Sequence, residues 1–182
     1  MQRLSTTTHG ALANVKGPAD QTVVTVTQAN FIVFYEQAYP RVTAALAYTL
    51  SDVDLAREAT DEAMLRAYQR WDVVGGYDNP GAWVHRVGLN WARSFHRRLA
   101  RKLPLASARN VELPPLAEPT IRQALLDLDE GARAVIVCRL LLDWSVEDTA
   151  QALGIRPGTV KSRQHRALHQ LQSTLSHLRP TS

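Results

Sequence analysis

Side chains able to do chemistry are spread unevenly along this sequence, and their pattern favours holding an anion over turning over a substrate. Between Asn79 and Val111 there is no acidic residue, while Arg86, Arg93, Arg97, Arg98, Arg101, Lys102 and Arg109 all fall there, together with His85 and His96. Trp83, Trp91 and Phe95 are interleaved with these bases, and Tyr77 stands just ahead of them. Cations beside aromatic rings suit a single nucleic-acid strand, whose phosphates pair with the former and whose bases stack on the latter. The ring spacing also puts Trp83, Trp91 and Phe95 on one helical face, where core packing is the simpler use. Tyr77, in the segment Val74 to Asn79, is the better candidate for touching a base.

A second basic concentration lies near the C-terminal end. No Asp or Glu follows Asp148, and Arg156, Lys161, Arg163, His165 and Arg166 come in quick succession. A surface that releases counterions from duplex DNA calls for this depletion of acid. The stretch from Asp52 to Asp72 has the opposite sign: Asp52, Asp54, Glu58, Asp61, Glu62 and Asp72 outnumber Arg57, Arg66 and Arg70. Such a helix would repel DNA. It reads either as a solvated face or as a surface for a protein partner.

Covalent and metal chemistry find little support. The lone cysteine, Cys138, sits in the apolar run Ala134 to Cys138 and reads as a small buried hydrophobe. A single cysteine excludes a disulfide within the chain and fits a reducing cytoplasm, where the protein is expected. His165 and His169 are one helical turn apart, but no Cys or carboxylate stands near to complete a metal site. No Gly-rich phosphate loop, zinc-ligand cluster or H-E-x-x-H pattern occurs. The expectation is therefore no catalytic residue, no metal and no cofactor.

The elements that would position these groups are helical almost throughout. The chain has 182 residues, a formal net charge of +4 and a sequence pI of about 9.6. Its hydrophobic content of 45% and charged content of 21% are ordinary for a globular protein. No apolar stretch is long enough to span a bilayer, and the N-terminus lacks the apolar core of a signal peptide. Residues 1–28 read as a mostly disordered tail, in which Val23-Val24-Thr25-Val26 is the one strand-like run and has no evident partner.

Helical periodicity starts with Phe31, Phe34, Tyr35 and Ala38. Ser51 to Asp54 is a cap signal, after which Leu55, Ala59, Ala63, Ala67 and Trp71 repeat every fourth residue up to Gly75-Gly76. Asn79-Pro80 opens the next helix, which stops before Pro104. The four prolines between Pro104 and Pro119 mark a flexible linker. A second helical block begins at Thr120, with helices expected over Asp129 to Leu142, from Ser145 and from Pro157. The fold class that follows is all-α: two small helical domains, residues 29–103 and 120–182, joined by the linker 104–119. Such lobes should move independently until a partner fixes them.

The stretch Ser145 to Arg163 carries the most specific motif. Ser145 and Asp148 form a capping-box pattern, and Val146, Ala150 and Leu153 make one apolar face. Gly154 falls where a tight turn needs a positive φ. Pro157 suits a first helical turn, and Val160 packs that helix down. The spacing from Ala150 through Gly154 to Val160 is that of a helix-turn-helix, whose second helix enters the major groove of DNA. Arg156, Thr159, Lys161, Ser162, Arg163 and Arg166 would then face the bases and phosphates.

Taken in order from about Phe31 to Leu171, the pieces resemble the extracytoplasmic-function (ECF) group of bacterial RNA polymerase sigma factors. Phe34 to Arg41 looks like the start of that family's region 2. Ala56 to Tyr68 is similar to the segment usually written A-E-D-L-V-Q-E-A-F-L-R-A-W, and Asn79 to Asn90 to N-P-R-A-W-L-Y-R-V-A-R-N. Ser145 to Leu168 closely resembles region 4, above all over Gly158 to Leu168. Arg70-Trp71-Asp72 and Tyr77 to Pro80 look most like actinobacterial members. The chain departs from the pattern at Ala59-Thr60, where a larger apolar pair is usual, at Glu58, where Asp is common, and at Gly88, where Ala is usual.

The resemblance implies two helical domains and a division of labour in transcription initiation. Glu58, Asp61, Glu62 and Arg66 would dock on the clamp of the largest subunit of core RNA polymerase. Region 4 would meet the flap of the second-largest subunit. Tyr77, Asn79, Arg86, Asn90, Arg93 and Arg97 would hold the melted −10 element of promoter DNA, and the helix-turn-helix would read the −35 element as duplex. The family often works under an anti-sigma factor, so such a partner is in view. Three other readings stay open beside it. A free-standing regulator similar to the LuxR-type response regulators would need a sensor domain before the linker, where no alternating strands occur. An enzyme would need the motifs found missing above. A sigma-like chain kept only as an interaction module is the third.

Overall fold

In the computed structural model the described residues are 18–102 and 118–177, with side chains described for 30–99 and 118–176. They form helices and no strand. The first block comprises α1 (Pro18–Leu50), α2 (Val53–Gln69), a single turn α3 (Trp71–Val74) and α4 (Pro80–Lys102). The second comprises α5 (Pro119–Leu126), α6 (Glu130–Ile136), α7 (Val146–Leu153) and α8 (Pro157–His177).

Local chemistry explains most of these boundaries. The turn after α1 is made by Ser51 at φ 56°, and the Asp52 carboxylate accepts a bond from the Leu55 N–H at 2.9 Å, capping α2. Leu55, Ala59, Ala63 and Ala67 line its buried face. Three of these four are alanines, so neighbouring helices approach closely. Asn79 caps α4 in the same way, its Oδ1 accepting from the Ala82 N–H at 2.9 Å, and Pro80 fills the first position, where no amide is needed.

Several expectations are corrected. The run Val23 to Val26 is not a strand but lies inside α1, and the tail expectation fails from Pro18 onward. β-Branched residues disfavour helix only slightly, and extending a helix already nucleated by packing costs little; residues 1–17 lie outside the described residues. Helix α2 ends at Gln69, before Gly75-Gly76, because Arg70 leaves the helical region at φ −129°. The expected helix Asp129 to Leu142 is α6 followed by a π-helical turn, Val137–Leu141.

The larger difference concerns the two blocks. The expected linker falls almost wholly outside the described residues, and the two helical blocks that flank it pack against each other. Val137, Cys138 and Leu142 of the second block enter one hydrophobic core with Val42, Leu46, Val84 and Leu89 of the first. Arg41 donates to the Leu142 carbonyl at 3.0 Å, across 101 residues of chain. Buried Arg133, on α6, donates to the Thr49 carbonyl at the end of α1 at 3.2 Å, and to the Leu126 and Leu128 carbonyls at 2.9 and 3.3 Å. A guanidinium can satisfy several carbonyls left open at helix ends. The periodicity of each helix was legible alone, but which helices of different blocks would meet was not.

Candidate nucleic-acid interface

The helix-turn-helix forms as its residues require. Ser145 Oγ accepts from the Asp148 N–H at 2.9 Å, and Asp148 Oδ2 accepts from the Ser145 N–H at 3.3 Å, closing the capping box. Gly154 ends α7 at φ 66°, a left-handed conformation that other residues reach only with strain. Val135, Ala150 and Val160 make its small core, with Val146, Leu153 and Ile155 against it. This packing turns Arg156, Lys161, Ser162, His165 and Arg166 of the turn and α8 to the surface and leaves Thr159 and Arg163 half-buried.

Ser162 Oγ donates to the Thr159 carbonyl at 3.1 Å, so that hydroxyl is held along the helix. Arg163 does not project freely. A Cβ added to Gly131 would stand 2.9 Å from Arg163 Nη1, so the guanidinium lies against the first turn of α6.

On α4, Arg86, Asn90, Arg97 and Arg98 are exposed. Asn90, Ser94, Arg97 and Arg98 line a groove of about 500 Å³ floored by Val87 and Trp91, with Arg66 of α2 as its facing wall. Arg66 is oriented by Glu62, its Nε and Nη2 lying 2.8 and 2.7 Å from Glu62 Oε1. Arg66, expected to dock together with the acids of α2, pairs with Glu62 there and also lines the groove of the α4 bases. Trp91 and Phe95 stack on each other, centroids 5.3 Å apart and rings 12° from parallel, at the edge of the core. Tyr77 is exposed in the loop before α4, whereas Asn79 Oδ1 is taken up by capping.

Two basic residues of α4 have roles that the sequence did not show. Arg93 lies on Glu130 of the second block, Nη2 at 2.8 Å and Nε at 3.1 Å from Oε1. His85, counted by sequence among the surface bases, is fully buried. Trp144 meets it edge-on with centroids 5.6 Å apart, and neither ring nitrogen makes a hydrogen bond of normal geometry. Burial, helped by Arg93, lowers its pKa to about 4, with the Ala152 carbonyl acting weakly the other way. His85 is therefore a neutral core residue at neutral pH.

The acidic face of α2 presents Glu58 and Asp61 to solvent, with Glu62 half-buried. The Tyr39 hydroxyl is held up at about 12, first by burial and then by the Asp61 carboxylate beside it, which ties that acid to α1. Ala59 and Thr60, the departures noted above, are fully buried and do not belong to the exposed face. Burial also pushes the Cys138 thiol up to about 12, in keeping with its reading as a core residue.

An all-helical chain that ends in a capped helix-turn-helix behind a basic helix is a DNA-reading transcription protein in its architecture. Comparison with known proteins carries the assignment further. Residues 120–171 match the family described as sigma-70, region 4. The RNA polymerase sigma-E factor of Streptomyces coelicolor is 34% identical over 128 residues, covering 66% of this chain and 71% of that protein. The ECF RNA polymerase sigma factor SigL of Mycobacterium tuberculosis is 32% identical over 138 residues, covering 70% of this chain and 78% of that protein. The sigma factor RpoE of Bartonella quintana, crystallised with the anti-sigma factor NepR, shares the fold with a TM-score of 0.67 at 23% identity, over 80% of this chain and 96% of that one. The chain belongs to the ECF family of RNA polymerase sigma factors, and its role is that of a transcription initiation factor. Among the described residues no helix is long and apolar enough to cross a membrane.

Proposed function

We propose that this sigma factor divides its surfaces by charge. The exposed acids of α2, Glu58 and Asp61 with Glu62 beside them, dock on the clamp of the largest polymerase subunit. The melted −10 strand is held along α4 by Arg86, Asn90, Arg93 and Arg97, of which Asn90 and Arg97 line the groove, where Arg66 faces them. Tyr77, with the loop that Asn79 ends, receives an unstacked base. Extruding that base costs a few kcal/mol, which stacking and cationic contacts offset. Arg156, Thr159, Lys161, Ser162, Arg163 and Arg166 read the −35 element in the major groove. Supporting the reading is one observation above all: Arg66, Asn90, Arg97 and Arg98 surround one groove, in a stretch of α4 without a single acid.

An apolar groove of about 520 Å³ lined by Ile121, Leu125, Leu140, Leu168, Leu171 and Leu175 would receive the flap of the second-largest subunit. The same exposed apolar surface would also receive an anti-sigma factor, a partner with which the Bartonella quintana protein was crystallised. The polymerase performs the chemistry, in the cytoplasm, and this chain contributes no catalytic residue and no cofactor.

The test is transcription by purified chain and core polymerase from a promoter library, with sequencing of the starts. One shared pair of upstream elements is the expected result. Asn90→Ala should then relax discrimination at the −10 element and Arg163→Ala at the −35 element, each by about tenfold. Starts no different from those of core polymerase alone would overturn the reading.

A further inference from the structure

Gln164 interrupts an apolar stripe on α8. Val160, Gln164, Ala167 and Leu171 recur at helical spacing, and the three apolar members are buried. A half-buried amide among them calls for a partner. Arg139 supplies it, its Nε donating to Gln164 Oε1 at 3.2 Å. Through Nη1 the same guanidinium donates to the Trp144 carbonyl. Trp144 stands immediately before Ser145, the N-cap of α7.

The backbone is shaped to deliver Arg139 there. It lies in the π-helical turn Val137–Leu141, where the Leu142 N–H reaches back to the Val137 carbonyl at 3.1 Å. The Trp144 N–H then reaches the Cys138 carbonyl at 3.1 Å, and Asp143 takes φ 55°. An extra residue in a helical turn re-aims the side chains it carries. Leu140, the next residue, is exposed on the apolar groove, while Arg139 is half-buried against α8.

We infer that Arg139 is a positioning residue for −35 recognition. By holding Gln164 and the residue ahead of α7 in one planar fork, it fixes the rotation of α8 about its own axis. The inference rests on the reading, proposed above, that α8 meets the −35 element. At about 3.6 residues per turn, Ser162 and Arg166 stand roughly 200° round the helix from Gln164, on the opposite face.

Apolar contacts alone define this rotation poorly. The buried core of the helix-turn-helix is Val135, Ala150 and Val160, with no side chain larger than valine, and apolar burial is non-directional. Hydrogen bonds from a guanidinium fork carry direction as well as strength. A helix with its side chains has a radius of about 5–6 Å, so a rotation of about 20° moves the tips of its side chains by about 2 Å. A hydrogen bond to a base edge, about 2.7–3.2 Å long, does not survive that displacement.

The test uses the full chain with core polymerase and the promoter recovered from the library, carrying single-base changes at the −35 or the −10 element. Discrimination is the ratio of initiation at the recovered promoter to that at the changed one. Gln164→Leu removes the acceptor with a side chain that suits the stripe, so Tm should stay within about 3 °C of the parent. Its −35 discrimination should fall by about threefold to tenfold, with −10 discrimination kept. Arg139→Lys keeps the charge without the fork and should lose −35 discrimination to the same extent. The double variant should be no worse than either single one, because both cut the same link.

A merely structural Arg139 would lower Tm and the response to both elements together. A phosphate contact would weaken initiation uniformly across −35 sequences and leave Gln164→Leu like the parent. Either pattern would overturn the inference, as would parent-like −35 discrimination in either folded single variant. Should Gln164→Leu not fold, Arg139→Lys carries the same test. Arg163→Ala separates the two levels: if it too discriminates at −35 like the parent, the −35 reading fails first.

Discussion

Gly88 of α4 lies so close to α2 that a Cβ on it would stand 3.0 Å from the Ala59 carbonyl oxygen, and 2.9 Å from Leu46 Cδ1 of α1. Two departures from the family pattern thus face each other: a small residue on α2 admits a helix whose own residue has no side chain. The Ala59 carbonyl is backbone and cannot move aside cheaply. Gly88→Ala gains about 1 kcal/mol in helix propensity but forces the crossing apart. The net expected loss is about 1–3 kcal/mol, or on the order of 5 °C in Tm for a chain of this size. Thermal denaturation decides it, and an unchanged or higher Tm would show that the crossing has slack.

Acid should weaken the protein through His85. Its folded pKa of about 4 lies below the ordinary value of 6.5, so between those values the unfolded chain binds the extra proton. The stabilisation from neutral burial is complete above about pH 6.5 and is lost as pH falls toward about 4, amounting to about 3 kcal/mol. Urea midpoints across this range should show the slope, and His85→Leu should flatten it. A parent chain with no slope there would mean that His85 reaches solvent.

Arg133 should matter more than any surface charge. Its guanidinium satisfies the Thr49, Leu126 and Leu128 carbonyls from a buried position, and burial lowers its pKa from the usual arginine value. Arg133→Ala leaves those carbonyls without this donor and should cost about 2–4 kcal/mol. Arg133→Lys should recover only part of that, since an ammonium cannot reproduce the planar fork. Chemical denaturation of both variants checks the order; full recovery by lysine would argue that charge alone is needed.

Gly154→Ala should strain the turn of the helix-turn-helix at φ 66° and cost about 1–2 kcal/mol. Because this turn sets the angle of α8, response to −35 substitutions in transcription should decline while response to −10 substitutions is kept. A decline at both elements would place the damage in the fold as a whole.

The candidate site was legible to different depths. The helix-turn-helix could be read almost residue by residue, since its cap, its glycine turn and its apolar positions are local and each has its own chemical signature. The α4 surface was legible as a basic stretch but not as a groove, because Arg66 reaches it from another helix. His85 was misread for the same reason: the ring that buries it, Trp144, is 59 residues away in sequence. Arg133 gave no distinct signal, since Asp129, Glu130 and Arg139 stand in the same expected helix, and nothing nearby in sequence names the carbonyls it serves.

Composition, helical periodicity, caps and charge segregation are properties of neighbours along the chain, and by themselves they determined an all-helical protein with two helical blocks and a DNA-reading motif. Only the tertiary structure decided how those blocks meet. Their junction depends on the burial of Cys138 and Leu142 in a shared core, on Arg93 of α4 reaching Glu130 of α6, and on Arg133 reaching from α6 to the Thr49 carbonyl at the end of α1. Those contacts join residues remote in sequence, and their energies depend on burial and distance, which one-dimensional spacing does not contain.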